Sequence, residues 1–241
     1  MNAFAIGDRG LPAQIAAEIG RRITLGELKP GDILPKESDM LSNLRVSRTT
    51  LREALKILET KGFIVAKPRA GTRVRAPEFW NTLDPTVLAW QGDADDQEAL
   101  AQELFEIRLA IEPLAASLAA LRGSDIEHWQ IRAAYDAMAV THASQYEAIE
   151  ADIDFHLKII HAARNRFLLP ISSVIRAALT INIPKTFKAF GGLEHSLALH
   201  EAIAIAIGKR DGPAAANAAE TLLLETYRQN LSSVGQSGAG N

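Results

Sequence analysis

The sequence predicts a mainly α-helical chain in two parts: a short N-terminal part of three helices and a β-hairpin, then a longer all-helical bundle. Three observations carry this. Apolar residues recur at helical spacing from Glu98 to about Leu231, with no alternating β-branched run among them. A single strand–turn–strand pattern, at 63–75, follows three helical segments. Charge is divided unevenly: residues 1–80 hold 14 Lys/Arg against 9 Asp/Glu, whereas residues 81–241 hold 12 against 20. A basic module joined to an acidic one points to a polyanionic partner for the first part alone.

The elements follow in order. Ile15, Ile19, Ile23 and Leu28 step by about one helical turn, so a helix is expected over Ala13–Leu25, ended by Gly26 and the Lys29-Pro30-Gly31-Asp32 turn. Lys36–Leu44 reads as a short helix burying Met40, Leu41 and Leu44, and Arg45-Val46 makes a tight connection. Ser47 caps a longer helix, Arg48–Lys61, whose Leu51, Ala54, Leu55 and Leu58 face inward and which Gly62 stops. Residues 63–66 and 72–75 are the two strands, joined by the basic turn Lys67-Pro68-Arg69-Ala70-Gly71. Pro77, Pro85 and Gly92 interrupt the next stretch, which reads as a connector; Phe79, Trp80 and Trp90 make it a packed one rather than a free tether. The helical stripes beyond it run Leu100–Leu118, Ile149–Ile160, Leu168–Ile183, Leu199–Ile207 and Ala215–Leu231, an antiparallel bundle. The expected organisation is thus a reader at 8–76, a connector at 77–97, a helical domain at 98–232 and a disordered tail at 233–241.

Composition excludes several classes. Of 241 residues 47% are apolar and 23% charged, ordinary for a globular protein with a full core. There is no apolar run of about 18 residues, so no transmembrane helix and no membrane partner is expected. The N-terminus, MNAFAIGDRGLPAQ, lacks a basic start followed by an apolar stretch, and the expected location is the cytoplasm. The chain has no cysteine, which excludes disulfides, a thiol nucleophile and Cys-ligated metal.

Two short helices joined by a tight turn, the second carrying exposed Arg and Thr, form a helix-turn-helix. At 100° per residue Arg48, Thr49 and Arg52 share the side opposite Leu51, Leu55 and Leu58. Arg takes guanine bidentately in the major groove, and Thr offers a hydroxyl or a methyl. The hairpin tip has the chemistry of a basic wing that holds phosphates or enters the minor groove. On residue type alone the alternative of a solvated amphipathic helix and a surface hairpin stays open, as does a DNA-packaging role without sequence preference.

The run from Ile23 to Val74 closely resembles the winged helix-turn-helix of the GntR regulator family. Its pattern of a PG turn, LP-x-E, a VSR cap, a REAL-like helix and a GT-x-V ending is met by Pro30-Gly31, Leu34-Pro35, Glu37, Val46-Ser47-Arg48, Arg52-Glu53-Ala54-Leu55 and Gly71-Thr72. The resemblance implies DNA contacts by Ser47, Arg48, Thr49, Thr50 and Arg52, and a wing built on Lys67, Arg69 and Gly71. Where the fatty-acid-responsive branch carries a DNA-touching Arg after LP-x-E, this chain carries Ser38.

In the second part, polar residues stand on apolar stripes. Arg108 lies between Leu104 and Ile111, and Asp152 and His156 share one face at i, i+4. His200 lies on the Leu199–Ile207 helix. Buried charge is costly unless paired or bound, so Arg, Asp and two His inside a bundle form a candidate site. One Asp oxygen and two imidazoles suit Zn, Ni, Mn or a similar divalent ion. Three plainer alternatives stay open: an Arg108–Glu112 pair, an ordinary Asp152–His156 hydrogen bond, and His200 as a satisfied core group. His128, His142 and His161 read as surface or structural.

Residues 104–120, 152–165 and 200–211 are similar to the FCD effector domain of the same family. Glu106, Arg108 and Glu112 match its E-x-R-x-x-x-E; Asp152, His156 and Asn165 match its D-x-x-x-H with a later Asn; His200, Ile203, Ala206, Ile207 and Asp211 match its third motif. The resemblance implies that Asp152, His156 and His200 are metal ligands; the position of the family's third His is Leu222, which cannot ligate. The stretch 80-WNTLDPTVLAWQ-91 is similar to the linker of the branch's galactonate-responsive repressors, which implies a sugar-acid effector. Its carboxylate would meet Arg108, and its hydroxyls the metal or Asn165, Thr180, Asn182 and Lys185. The expected function is a homodimeric repressor that leaves a palindromic duplex operator when a small acid binds. The rival is a metal-dependent enzyme built on the open three-ligand site.

Overall fold

The structure, a computed structural model, describes residues 10–67, 70–92, 97–140, 144–190 and 194–237, without the side chains of 97, 182–190, 194–195 and 229–237. The chain divides into two compact units, one ending at Leu100 and the other beginning at Ala101.

In the first unit, α1 (Leu11–Thr24) starts with a proline in its first turn and buries Ile15, Ala16, Ile19 and Ile23. It lies against α3 (Arg48–Thr60), which buries Leu51, Ala54 and Leu58. Truncating such a fully buried leucine to alanine costs about 2–5 kcal/mol. Between them α2 (Glu37–Leu44) ends in a left-handed residue, Arg45 at φ 54°, which turns the chain sharply into α3. At the other end of α3, Gly62 takes φ +83° in a left-handed helix stop, and a Cβ there would meet Phe79 O at 2.0 Å. β1 (Ile64–Lys67) and β2 (Gly71–Val74) pair antiparallel, with Ile64 opposite Val74 and Lys67 opposite Gly71. The Pro30-Gly31 turn lays a further extended segment along β2: Leu34 N donates to Thr72 O and Val74 N to Asp32 O, both at 2.9 Å.

The expected connector is largely part of this unit. Asp84 caps α4 (Pro85–Gln91), accepting from Thr86 N at 2.8 Å, and also takes Lys61 Nζ at 2.8 Å. Trp80 stacks on Phe63 at 4.5 Å between centroids, and Trp90 meets the same ring edge-on at 5.1 Å. Trp90 also lies against the backbone of α1, where a Cβ on Gly20 would approach its ring to 2.3 Å. The aromatics that mark this stretch in the sequence thus complete the core of the N-terminal unit.

Among its described residues the second unit is built on six α-helices: α5 (Gln97–Arg122), α6 (Asp125–Val140), α7 (Gln145–Ala162), α8 (Ser172–Phe190), α9 (Glu194–Gly208) and α10 (Gly212–Ser237). α6 packs on α7 and α9, α7 on α8, and α10 on α9 and α8. α10 runs to Ser237, into the segment expected to be a disordered tail; residues 238–241 lie outside the described residues. α5 contributes Ala115, Ala116, Ala119 and Ala120 to the core, all 0% exposed. His128 is buried with Nε2 2.9 Å from Ala119 O, a structural role; His161 is exposed, and His142 lies outside the described residues. No helix among the described residues is long and apolar enough to cross a membrane.

Candidate functional site

The expected reading face lies on the helix-turn-helix. Ser47 Oγ accepts from Thr50 N at 3.1 Å and lies 2.7 Å from Thr50 Oγ1, so both hydroxyls are engaged at the N-terminus of α3. Arg48, Thr49 and Arg52 are exposed. Arg52 Nε lies 3.3 Å from Glu37 Oε1, which ties the LP-x-E glutamate of α2 to the recognition helix. Ser38 is exposed and donates to Asp39 Oδ1 at 3.1 Å. Lys67 and Gly71 are exposed at the mouth of the hairpin; Arg69 lies outside the described residues.

The buried centre draws on three helices. Arg108 and Glu112 come from α5, Asp152 and His156 from α7, and His200 from α9; each is at most 6% exposed. Arg108 Nε donates to Glu112 Oε1 at 2.6 Å, so the pairing alternative for Arg108 is realised. Glu112 does a second thing that its spacing from Arg108 does not reveal: its Oε2 lies 2.8 Å from His156 Nδ1. Burial works to raise the Glu112 carboxyl, but the Arg108 charge and the hydrogen bonds from His156 and Arg108 outweigh it and hold it down at about 2. Burial likewise works to raise Asp152, and His156, His200 and Arg108 hold it below the ordinary value.

The two imidazoles are oriented alike. His156 Nδ1 faces the Glu112 carboxylate, and His200 Nδ1 lies 2.8 Å from Ser196 O. A carbonyl or carboxylate oxygen only accepts, so Nδ1 carries the hydrogen and Nε2 of a neutral ring presents its lone pair. His200 Nε2 is 3.1 Å from Asp152 Oδ1, and His156 Nε2 is 3.7 Å from Asp152 Oδ2. His200 Nε2 is nonetheless the buried side-chain polar atom left without a hydrogen bond among the described residues. Donor atoms of Asp152, His156 and His200 all lie within 4.8 Å of one another. Ligands sharing one zinc-like ion, with bonds of about 2.0–2.2 Å, stand about 3–3.5 Å apart, so small rotamer changes suffice. An orphaned nitrogen, two lone pairs converging on an ionised carboxylate, and held outer nitrogens together fit a divalent cation.

Two of the other expected residues have local hydrogen-bond partners. Asn165 lies beyond the C-terminus of α7, where its Oδ1 accepts from Phe167 N at 3.1 Å. Thr180 Oγ1 donates to Arg176 O within α8 at 2.8 Å. The side chains of Asn182 and Lys185 lie outside the described residues. Leu222 is 3% exposed and packs in the core of the second unit. Beside His156 a cavity of about 10 Å³, lined by Glu112, Ala115, Ala116, Ile203 and Ala219 among others, has room for one water-sized group.

Residues 11–74 match the family described as "Bacterial regulatory proteins, gntR family", and residues 103–225 match the FCD domain. The chain belongs to the GntR family. This GntR chain is 32% identical to the uncharacterized HTH-type transcriptional regulator YieP of Escherichia coli (strain K12) over 89% of its own length and 93% of that protein. It is 29% identical to the galactonate operon transcriptional repressor of the same organism, over 90% and 95% of the two chains. The solved structure of Lar from Listeria monocytogenes shares the fold, with TM-score 0.64 at 19% identity over 94% of this chain and 99% of that one. The GntR chain is therefore a DNA-binding transcriptional regulator with an FCD domain, and not an enzyme; the rival reading of the buried centre as a catalytic site falls away.

Proposed function

We propose that this GntR regulator is a repressor of sugar-acid catabolism genes that binds a palindromic operator as a homodimer and is released by a small acidic effector. The observation that carries the reading is the pair of modules: an exposed Arg48/Thr49/Arg52 face on a capped recognition helix, and a buried, charge-rich centre in the FCD domain. The similarity to the galactonate operon repressor supports an aldonate as the effector class.

Asp152, His156 and His200 would hold a divalent cation of the Zn, Ni or Mn kind, and the cation supplies a positive point to which effector oxygens bind. Arg108 adds a second positive point. Glu112 takes its Nε and Nη2 hydrogens, and the guanidinium has five in all, so an effector carboxylate can join the pair. The cavity beside His156 has room for one water-sized group, so a sugar acid would enter there only if the lining helices part. A ligand that binds one arrangement better than the other shifts the population toward it, which is how the helical domain can act on the reader.

The test is fluorescence anisotropy on duplex DNA from upstream of the protein's own operon, with D-galactonate and other aldonates titrated in. Release by one aldonate at a concentration that leaves random DNA unaffected supports the reading. Operator binding indifferent to every acid removes the sugar-acid effector, and equal affinity for operator and random duplex removes the repressor.

A further inference from the structure

We infer that Glu112 is the positioning residue of the buried centre: it fixes His156 in the Nδ1–H form, with Nε2 toward Asp152, and thereby sets how tightly a divalent cation is held. This rests on the metal reading proposed above. Glu112 sits on α5 and His156 on α7, so the contact joins two helices that sequence spacing does not relate. Its carboxylate is divided: Oε1 takes Arg108 Nε at 2.6 Å, and Oε2 takes His156 Nδ1 at 2.8 Å. All three side chains are more than nine-tenths buried, so both contacts are shielded from bulk water. A ring held only by its i−4 neighbour Asp152, at 3.7 Å, would be free to rotate or to place its hydrogen on Nε2. With the hydrogen on Nε2 the ring donates to Asp152, and its lone pair lies on Nδ1, away from Asp152. Glu112 removes that option, because an ionised carboxylate at Nδ1 only accepts.

Arg108 has its own part. It neutralises Glu112 in a site that already holds the Asp152 carboxylate, so a cation and two carboxylates coexist without excess negative charge. His200 is held differently, by the Ser196 carbonyl one turn earlier on its own helix. The centre thus has one imidazole positioned locally and one positioned from α5. Any event that draws Glu112 away acts on the positioning of His156 and leaves the Ser196 contact of His200 in place. α5 thereby becomes the element through which occupancy of the cation site and engagement of Arg108 are linked.

The experiment compares wild type, Glu112→Gln and the double variant Arg108→Met/Glu112→Leu as full-length proteins. Replacing both members of a buried pair with apolar groups leaves no unpaired charge, so the double variant is the one expected to fold, and helical circular dichroism checks it. The first readout needs no metal: ¹⁵N imidazole shifts in chelator-treated protein report which nitrogen of His156 carries hydrogen. The second is zinc affinity by competition with a chelating dye. In wild type, His156 is expected as Nδ1–H. Glu112→Gln keeps an acceptor oxygen and is expected to keep that tautomer with zinc held several-fold more weakly. The double variant is expected to shift His156 toward Nε2–H, to leave His200 unchanged, and to lose about 10–100-fold in zinc affinity. A folded double variant with wild-type tautomer and wild-type zinc affinity overturns the proposal. Wild-type protein whose His156 tautomer depends on Glu112 but which takes up no zinc overturns the metal reading and the affinity claim with it.

Discussion

His200 Nε2 faces Asp152 Oδ1 at 3.1 Å across the gap between α9 and α7, while His200 Nδ1 is engaged with Ser196 O. A neutral ring so tautomerised brings a lone pair against an anionic oxygen. That contact is repulsive unless a cation lies between the two, or the ring takes a second proton. The arrangement is therefore completed by positive charge.

From this follows the first expectation. Wild-type protein purified without chelator carries one divalent ion per chain, and Asp152→Ala, His156→Ala or His200→Ala lowers the content well below that. Ligand at 100 times its Kd stabilises by about 2.7 kcal/mol, so chelation lowers the melting temperature of wild type and leaves His200→Ala nearly unmoved. Elemental analysis beside differential scanning fluorimetry reads both effects. Metal-free wild type with an undiminished effector response would leave the cluster as a polar pocket.

A second prediction concerns the reading face. Arg48→Ala and Arg52→Ala each remove an exposed side chain, so folding stability stays within a few tenths of wild type. The Arg52–Glu37 pair is a surface pair, worth about 0–1 kcal/mol. Operator affinity falls by about 1–3 kcal/mol for each base-reading side chain removed, doubled in a dimer. Unchanged affinity at matched salt would take that residue out of the reader.

Lys67 supports a third. It lies exposed at the hairpin mouth opposite Gly71. Lys67→Ala is expected to weaken operator and random DNA about equally and to reduce the salt slope by about one for each phosphate that is no longer neutralised. A weakening confined to operator DNA would make the wing a base reader. Titrations of both duplexes across a salt series distinguish the two.

The fourth turns on the start of α6. Glu127 Oε2 accepts from Ser124 N and Ser124 Oγ, both at 2.7 Å, while Arg164 Nη2 lies 2.8 Å away. The Ser124 backbone hydrogen bond leads in lowering this carboxyl from 4.5 to about 2, with burial opposing. The folded value is depressed, so the stabilisation is fully present above pH 4.5 and is lost as pH falls through about 2. Glu127→Gln should therefore melt lower than wild type at neutral pH, with the gap closing between those two values. A gap independent of pH would show that the capping box acts without its charge.

The DNA-reading part was legible in the sequence because its logic is local. A helix with Ser at its cap, Leu51, Ala54 and Leu58 on one side and Arg48 and Arg52 on the other declares both its inner and outer faces through a period of 3.6. The Pro30-Gly31 turn and the glycine stops are equally local. The reach of the N-terminal core was less legible: Trp80 and Trp90 were visible as aromatics in a connector, but not as partners of Phe63 and Gly20, which lie far off in the chain. α10 continuing to Ser237 was missed because 233–241 has little to bury, and burial is what periodicity detects.

For the buried centre, sequence by itself determined the donors: Asp152 and His156 one turn apart on one face, and His200 on another apolar helix. Helical spacing settles what shares a face within one element. Only the tertiary structure decided which faces meet. It put Asp152 between two rings, turned Arg108 onto Glu112, and set Glu112 behind His156. It gave Asn165 and Thr180 hydrogen-bond partners among their own neighbours. Those outcomes depend on how α5, α7 and α9 are placed in the bundle, which no single helix encodes. Once packed, a buried charge must find a partner within about 3 Å, and that requirement, not the spacing along the chain, chose Glu112.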